Sequence, residues 1–154
     1  MTEGRRPGGL TALAVLNFVF AAFGGLNVLG QIMLVIVATT DFTPPGSTRD
    51  FEHAREIARQ IGPAVLIALA AAAVAVAALQ IMSGIGYLLQ KKVLGRGFGN
   101  AYALLSIAST VGSTMLMRTE EGGGSLQLIT LVFVIYPLLT LFLINTTFKE
   151  DFVR

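Results

Sequence analysis

The sequence predicts an all-α, polytopic membrane protein: a four-transmembrane-helix bundle with a short outer amphipathic helix between spans 1 and 2. The first observation behind this prediction is four long runs without any charged residue. A helix needs about 20 mostly apolar residues to cross the hydrocarbon core of a bilayer, and each run is long enough. The second is composition, since hydrophobic residues make up 54% of the chain and charged residues only 13%. The uncharged runs are 7–40, 60–90, 97–117 and 122–148.

The first predicted span covers residues 10–37. Asn17, Gly24 and Gln31 are spaced by seven and share a helix face, and Asn27 lies one turn before Gln31. An unpaired amide in hydrocarbon is costly, so this face should contact protein. The apolar stretch far exceeds the core of a signal peptide, which has about 7–15 residues. We therefore expect the span to be retained.

Residues 51–61 place apolar side chains at helical spacing, with charged side chains on the other face. This pattern predicts the amphipathic helix, which should lie on the outer surface or over the bundle. The second predicted span covers residues 64–89. Its second half contains Gln80, Ser83 and Gly84, and small residues at such spacing are typical of close helix packing in membranes.

The third predicted span covers residues 98–117 and the fourth covers 126–144. The connection 90–97 is short, so the second and third spans should be antiparallel neighbours. One face of the third span is polar, although serine hydroxyls can bond to their own helix. The residues of this face are Tyr102, Ser106, Ser109 and Ser113.

The distribution of basic residues predicts the orientation. Both terminal segments and the connection between spans 2 and 3 would share one side, with seven basic residues against four on the other. Basic loops stay cytoplasmic, so both termini should face the cytoplasm. The residues that give this topology signal, and that could also hold anionic lipid headgroups, are Arg5, Arg6, Lys91, Lys92 and Arg96.

Several chemistries are disfavoured by the residue types present. The chain has no cysteine and a single histidine, His53, which we interpret as a solvated surface residue. No charged residue lies inside a predicted span, and such residues mark proton relays and voltage sensors. The net charge of +2 does not favour nucleic-acid binding. We expect no catalytic site, no metal and no cofactor.

The polar and small residues inside the spans have two interpretations. We favour interhelical hydrogen bonding and close packing that fix the arrangement of the helices. The alternative is that they line a pore or solute pathway at the axis of an oligomer. The set consists of Asn17, Gly24, Asn27, Gln31, Gln80, Ser83, Gly84, Tyr102, Ser106, Ser109 and Ser113.

Three stretches resemble small, uncharacterised four-span bacterial inner-membrane proteins. The resemblance covers the hydrophobic architecture of the whole chain and implies a location in the bacterial inner membrane. It brings no assigned activity, so no functional residue is transferred. The stretches are 6–14, then 83–89 followed by Lys91, Lys92 and Arg96, and finally 136–139 with the ending 145–149.

The sequence therefore predicts a non-enzymatic integral membrane protein that acts through helix–helix association. It would be an accessory or assembly subunit of a membrane complex, or a self-associating bundle. The alternative is a small homo-oligomeric channel or passive transporter with an amide- and hydroxyl-lined pathway. The expected partners are membrane lipid and other transmembrane helices.

Overall fold

The computed structural model describes residues 8–40, 46, 48–116 and 128–152, and all regular structure in these residues is helical. The predicted all-α fold is confirmed. A six-residue π-helical turn, Lys92–Gly97, joins the third helix to the fourth. The α-helices are α1 (Gly8–Thr39), α2 (Arg49–Ile61), α3 (Pro63–Leu89), α4 (Phe98–Leu116) and α5 (Leu128–Asn145).

Two of the described helices, α1 and α3, are long and apolar enough to cross a membrane. They contain the predicted spans 10–37 and 64–89. The helix α5 contributes a shorter apolar stretch, Leu131–Asn145, and α4 has 19 residues. The last residue of the predicted span 98–117 and the first two of 126–144 lie outside the described residues. A count of four spans stays a prediction.

The four long helices pack in the order α1, α3, α4, α5. Their backbones approach closely between α1 and α3, between α3 and α4, and between α4 and α5. By contrast, α1 and α5 meet mainly through side chains, among them the stacked rings of Phe20 and Tyr136.

The junction between α3 and α4 explains why these helices are neighbours. Gln90 adopts a left-handed backbone (φ 53°, ψ 30°) and ends α3. The π-helical turn then folds back on α3, so that Leu94 and Gly95 lie directly against Gly86. A side chain at Gly86 would overlap that backbone, and glycine is therefore what allows the turn to pack this closely.

One end of the molecule, which we call the π-turn end, gathers four helix ends. Here α1 begins, α3 ends, α4 begins and α5 ends. An apolar cluster holds the ends of α1, α3 and α5 together, and Phe152 joins it from the residues after α5. This arrangement is the one expected when four helices alternate in direction. The buried members of the cluster are Leu10, Leu13, Ala14, Tyr87, Ile144 and Phe152.

The amphipathic helix α2 lies at the opposite end, which we call the α2 end, and packs on α1 and α3. Ala58 is buried, and Phe51, Ile57 and Ile61 are half-buried, which agrees with the predicted apolar face. Arg55 departs from the predicted polar face. Its side chain is only 13% exposed and lies 4.0 Å from Glu52.

Large apolar side chains are exposed on all four long helices. In water such a surface would favour aggregation, whereas hydrocarbon would cover it without cost. Several polar side chains of the same helices, including Asn17, Gln80 and Thr140, are buried instead. Examples of the exposed residues are Phe23, Leu26, Leu29, Ile67, Val74, Leu104, Met115, Ile135 and Phe142.

Candidate functional site

Polar side chains from α1, α3 and α5 meet in the interior of the molecule. Asn17 of α1 is fully buried, and its Nδ2 donates a hydrogen bond of 2.6 Å to Ser83 Oγ on α3. Its Oδ1 accepts a 2.5 Å bond from the Tyr136 hydroxyl on α5. One amide therefore uses its donor side and its acceptor side to connect three helices.

The hydrogen bonds continue through α3 to α4. Ser83 Oγ donates to the backbone carbonyl of Gln80 (3.0 Å), and Gln80 Nε2 donates to the Tyr102 hydroxyl (3.2 Å). The bonds thus link α5 to α1 and α1 to α3, and the Gln80 side chain makes a separate link from α3 to α4. We call the five residues concerned the polar network; they are Asn17, Gln80, Ser83, Tyr102 and Tyr136.

Aromatic rings shield the network on the side of α5. Phe20 stacks on Tyr136 with ring centroids 4.2 Å apart, and Phe133 meets Phe20 edge-on at 6.1 Å. Tyr102 and Tyr136 lie 6.4 Å apart. Because such surroundings exclude water, each polar atom depends on its protein partner. The network therefore favours one arrangement of the helices over others.

The hydroxyl of Tyr87 lies beside the network without joining it. Tyr87 is fully buried, and its hydroxyl lies close to the side chains of Asn17 and Ser83. It makes no hydrogen bond to the described residues. A buried hydroxyl without a partner loses the free energy of its bonds to water.

Two glycines allow α1 and α3 to approach each other where the network forms. A Cβ at Gly84 would lie 3.1 Å from the Phe18 ring and 3.4 Å from the Asn17 side chain. A Cβ at Gly24 would lie 3.7 Å from Ala77. The distance at Gly24 is an ordinary van der Waals contact, whereas at Gly84 there is no room for a larger side chain.

A second polar cluster lies at the π-turn end. Asn145 of α5 and Asn100 of α4 form a reciprocal amide pair, with bonds of 2.6 and 3.4 Å. Arg96 Nε donates to Asn145 Oδ1 at 3.0 Å. Arg96 is half-buried, whereas Lys91 and Lys92 are exposed. Arg96 is thus hydrogen-bonded to the end of α5, in addition to any role in membrane topology.

The remaining predicted residues lie outside the polar network. Ser106 is buried and Ser109 and Ser113 are half-buried; Ser113 donates to the Thr110 carbonyl of its own helix. Asn27 is exposed and makes no hydrogen bond to the described residues. Gln31 is half-buried, and its buried Oε1 has no partner among them.

Two of the predicted topology residues cannot be placed. Arg5 and Arg6 lie outside the described residues, so their prediction stays a prediction.

Sequence reasoning missed Tyr136, Asn100 and Asn145. Tyr136 stands in the most apolar span, where a lone tyrosine resembles an interfacial aromatic. Its spacing from Thr140, one turn away, was the available signal, and Thr140 Oγ1 does donate to the Tyr136 carbonyl. The two asparagines stand at the ends of their predicted spans, where polar residues are common.

The chemistry of the network is that of neutral donors and acceptors. The Ser83 hydroxyl is engaged by an amide and a backbone carbonyl. His53 is exposed on α2, at the α2 end of the molecule, and is not part of the network. Among the described residues no group of three or more His, Asp or Glu side chains could hold a metal ion.

Neither a protein-family model, nor a curated protein, nor a solved structure matches this chain.

Proposed function

We propose that the chain is a four-span integral membrane protein of the bacterial inner membrane that acts through helix–helix association. In this role it is a non-enzymatic accessory or assembly subunit of a membrane complex, or a self-associating bundle. Two of the four spans, α1 and α3, qualify by length and composition, and α4 and α5 complete the bundle.

The inside-out distribution of side chains is the observation that carries this proposal. Apolar residues such as Leu26, Leu104 and Phe142 are more than half exposed, while Asn17 and Gln80 are buried and hydrogen-bonded. A core helix of a soluble protein would bury its apolar side chains instead. Lipid is the solvent that suits this surface.

Asn17 also supports the retention of α1. A signal peptide is removed from the mature protein, so it would not supply a residue on which the interior depends. Asn17 is buried and bonds both Ser83 and Tyr136.

The π-turn end supports a cytoplasmic orientation for the ends of α1 and α5. Lys91, Lys92 and Lys149 are exposed there, and Arg96 lies beside them. The opposite end carries the three arginines of α2, Arg49, Arg55 and Arg59. The positive-inside rule counts only the basic residues, and with four described at the π-turn end against three on α2 it favours the cytoplasm for the π-turn end.

The use of the polar residues supports association over catalysis. Asn17, Gln80 and Ser83 are bonded to other side chains or to the backbone of the same chain. In the described residues no imidazole, carboxylate or amine is hydrogen-bonded to Ser83, so a base that would activate it is not in place.

Association is tested by extracting the protein in a mild detergent and measuring the mass of the intact complex. We expect either a second polypeptide or a fixed number of copies. A monomer that persists in several mild detergents and in lipid nanodiscs would refute the proposal.

One observation favours the alternative of a homo-oligomeric channel: Asn27 is exposed and carries an amide without a partner. Reconstitution into liposomes separates the two functions, because a channel conducts ions or small solutes and an accessory subunit does not. Conduction that Asn27→Leu abolishes and Leu26→Val leaves intact would establish the channel.

A further inference from the structure

Arg96 is held differently from the other basic side chains at the π-turn end. It is half-buried, whereas Lys91, Lys92 and Lys149 are exposed. Its Nε donates a hydrogen bond of 3.0 Å to Asn145 Oδ1 at the end of α5. A long side chain on a surface samples many rotamers, and a hydrogen bond near its tip restricts them. The guanidinium of Arg96 is therefore kept in one place.

The amide that holds Arg96 is itself held on both of its sides. Asn145 Nδ2 donates to Asn100 Oδ1 at 2.6 Å and to the Leu141 carbonyl at 2.8 Å. Asn100 Nδ2 donates back at 3.4 Å to Asn145 Oδ1, the oxygen that also accepts from Arg96. The orientation of this oxygen is thus determined by α4 and α5 together.

The Arg96 guanidinium keeps most of its hydrogen-bond donors. Arginine has five N–H groups in one plane, and the bond from Nε uses one of them. Neither terminal nitrogen, Nη1 or Nη2, donates to the described residues, and neither is a buried atom without a partner. The end of the plane therefore offers two parallel N–H groups, the arrangement that binds two oxygens of a phosphate.

The charges around Arg96 favour an anionic ligand. Lys92 lies four residues before it in the same π-helical turn, and Lys149 lies four residues beyond the end of α5. Glu150 and Asp151 follow α5 as well, but among the described residues no carboxylate forms an ion pair with Arg96. Its bonded partner is a neutral amide, which leaves the charge of the guanidinium uncompensated.

We propose that Arg96 binds a phosphate group end-on, and that this group is the headgroup phosphate of an anionic phospholipid at the ends of α4 and α5. The inference rests on the proposed membrane placement, because the helix ends lie at the level of the headgroups only if the helices span the bilayer. The lysines around Arg96 attract a headgroup with net negative charge and repel the cationic part of a zwitterionic one. Asn145 is a positioning residue, since it holds the guanidinium and does not contact the phosphate.

Native mass spectrometry of the whole chain, purified in a mild neutral detergent, counts the lipids that stay bound. Phosphatidylglycerol is titrated, and phosphatidylcholine is the zwitterionic comparison. We expect phosphatidylglycerol to bind more tightly and to remain bound in an excess of inorganic phosphate. Displacement by inorganic phosphate would keep the phosphate site but show that its ligand is a soluble phosphate, which overturns the assignment to lipid.

Arg96→Lys keeps the positive charge and loses the paired donors, and we expect it to weaken phosphatidylglycerol binding about tenfold, the effect of one hydrogen bond between charged groups. Lys92→Gln is the matched control, because it removes one exposed charge and should weaken binding by less than about twofold. Asn145→Leu removes the acceptor of Nε and should also weaken binding. In the Arg96→Lys background Asn145→Leu should have no further effect, whereas a purely structural role would lower binding in both backgrounds.

Equal binding by the parent and Arg96→Lys would overturn the inference. An effect of Lys92→Gln as large as that of Arg96→Lys would also overturn it, because that result means a diffuse basic surface without a site. If Asn145→Leu does not fold, the comparison of Arg96→Lys with Lys92→Gln decides the matter. Failure of the membrane placement is a separate result, since the protein would then be recovered without detergent.

Discussion

The contact between α3 and the π-helical turn gives the sharpest test of the packing. Replacement Gly86→Ala adds a methyl group that would overlap the backbone of Leu94 and Gly95. Backbone cannot swing aside as a flexible side chain does, so the turn must move away from α3. Gly95 in turn lies against the Phe152 ring, and the displacement would reach the apolar cluster of the π-turn end.

Overpacking of an interior costs about 1–3 kcal/mol, and a clash with backbone belongs at the upper end of this range. We therefore expect Gly86→Ala to lower the free energy of unfolding by about 3 kcal/mol, partly offset by the helix preference of alanine, which is worth at most about 1 kcal/mol. The net loss should be about 2 kcal/mol. Unfolding of the detergent-solubilised protein by sodium dodecyl sulfate, followed by circular dichroism, measures it.

Gly25→Ala is the matched control. Gly25 is also inside a long helix, but a Cβ there would meet no atom within 4 Å. The control should leave stability unchanged or raise it by up to about 1 kcal/mol. Equal effects of the two substitutions would show that the close approach of the π-helical turn to Gly86 is wrong.

Three further predictions concern single positions or single sides of the molecule. Asn17→Ala removes two interhelical hydrogen bonds and should lower the free energy of unfolding by about 1–2 kcal/mol. Its control, Asn27→Ala, breaks no bond to the described residues and should change that free energy by less than about 0.5 kcal/mol. Both are measured by unfolding in sodium dodecyl sulfate. Gln90→Gly should raise stability by up to about 1 kcal/mol because glycine adopts the left-handed conformation of Gln90 without strain, whereas a loss would mean that the Gln90 side chain makes a contact of its own. In intact cells a cysteine at Lys92 should be protected from a membrane-impermeant thiol reagent and a cysteine at His53 should react with it; the reverse pattern would invert the proposed orientation.

The sequence alone was enough to predict the helices, because a helix is marked by the length of its apolar run and the spacing of its side chains. It also placed Asn17, Gln80 and Ser83 on contact faces, since small and polar residues at helical spacing mark faces that turn away from lipid. Periodicity defines a face only broadly, however. Asn27 was assigned to the same contact face as Asn17, and the structure leaves it exposed.

Partners across the molecule could not be read from the sequence. Tyr136 is 119 positions from Asn17, and nothing local to either residue marks the pair. The π-helical turn was equally hidden, because Gly95 and Gly97 are also what a simple tight turn contains. Its geometry depends on Gly86 of the preceding helix, a contact that only the folded chain brings about.

If lipid surrounds the exposed apolar side chains, spin labels at those positions are shielded from water, and their accessibility measures this. Labels on cysteines that replace Leu26, Leu104 and Leu138, one each on α1, α4 and α5, are exposed to molecular oxygen and to a water-soluble nickel complex in turn. We expect frequent collisions with oxygen and very few with nickel at all three positions. Frequent collisions with nickel at all three would mean that water surrounds these helices, and would contradict this expectation.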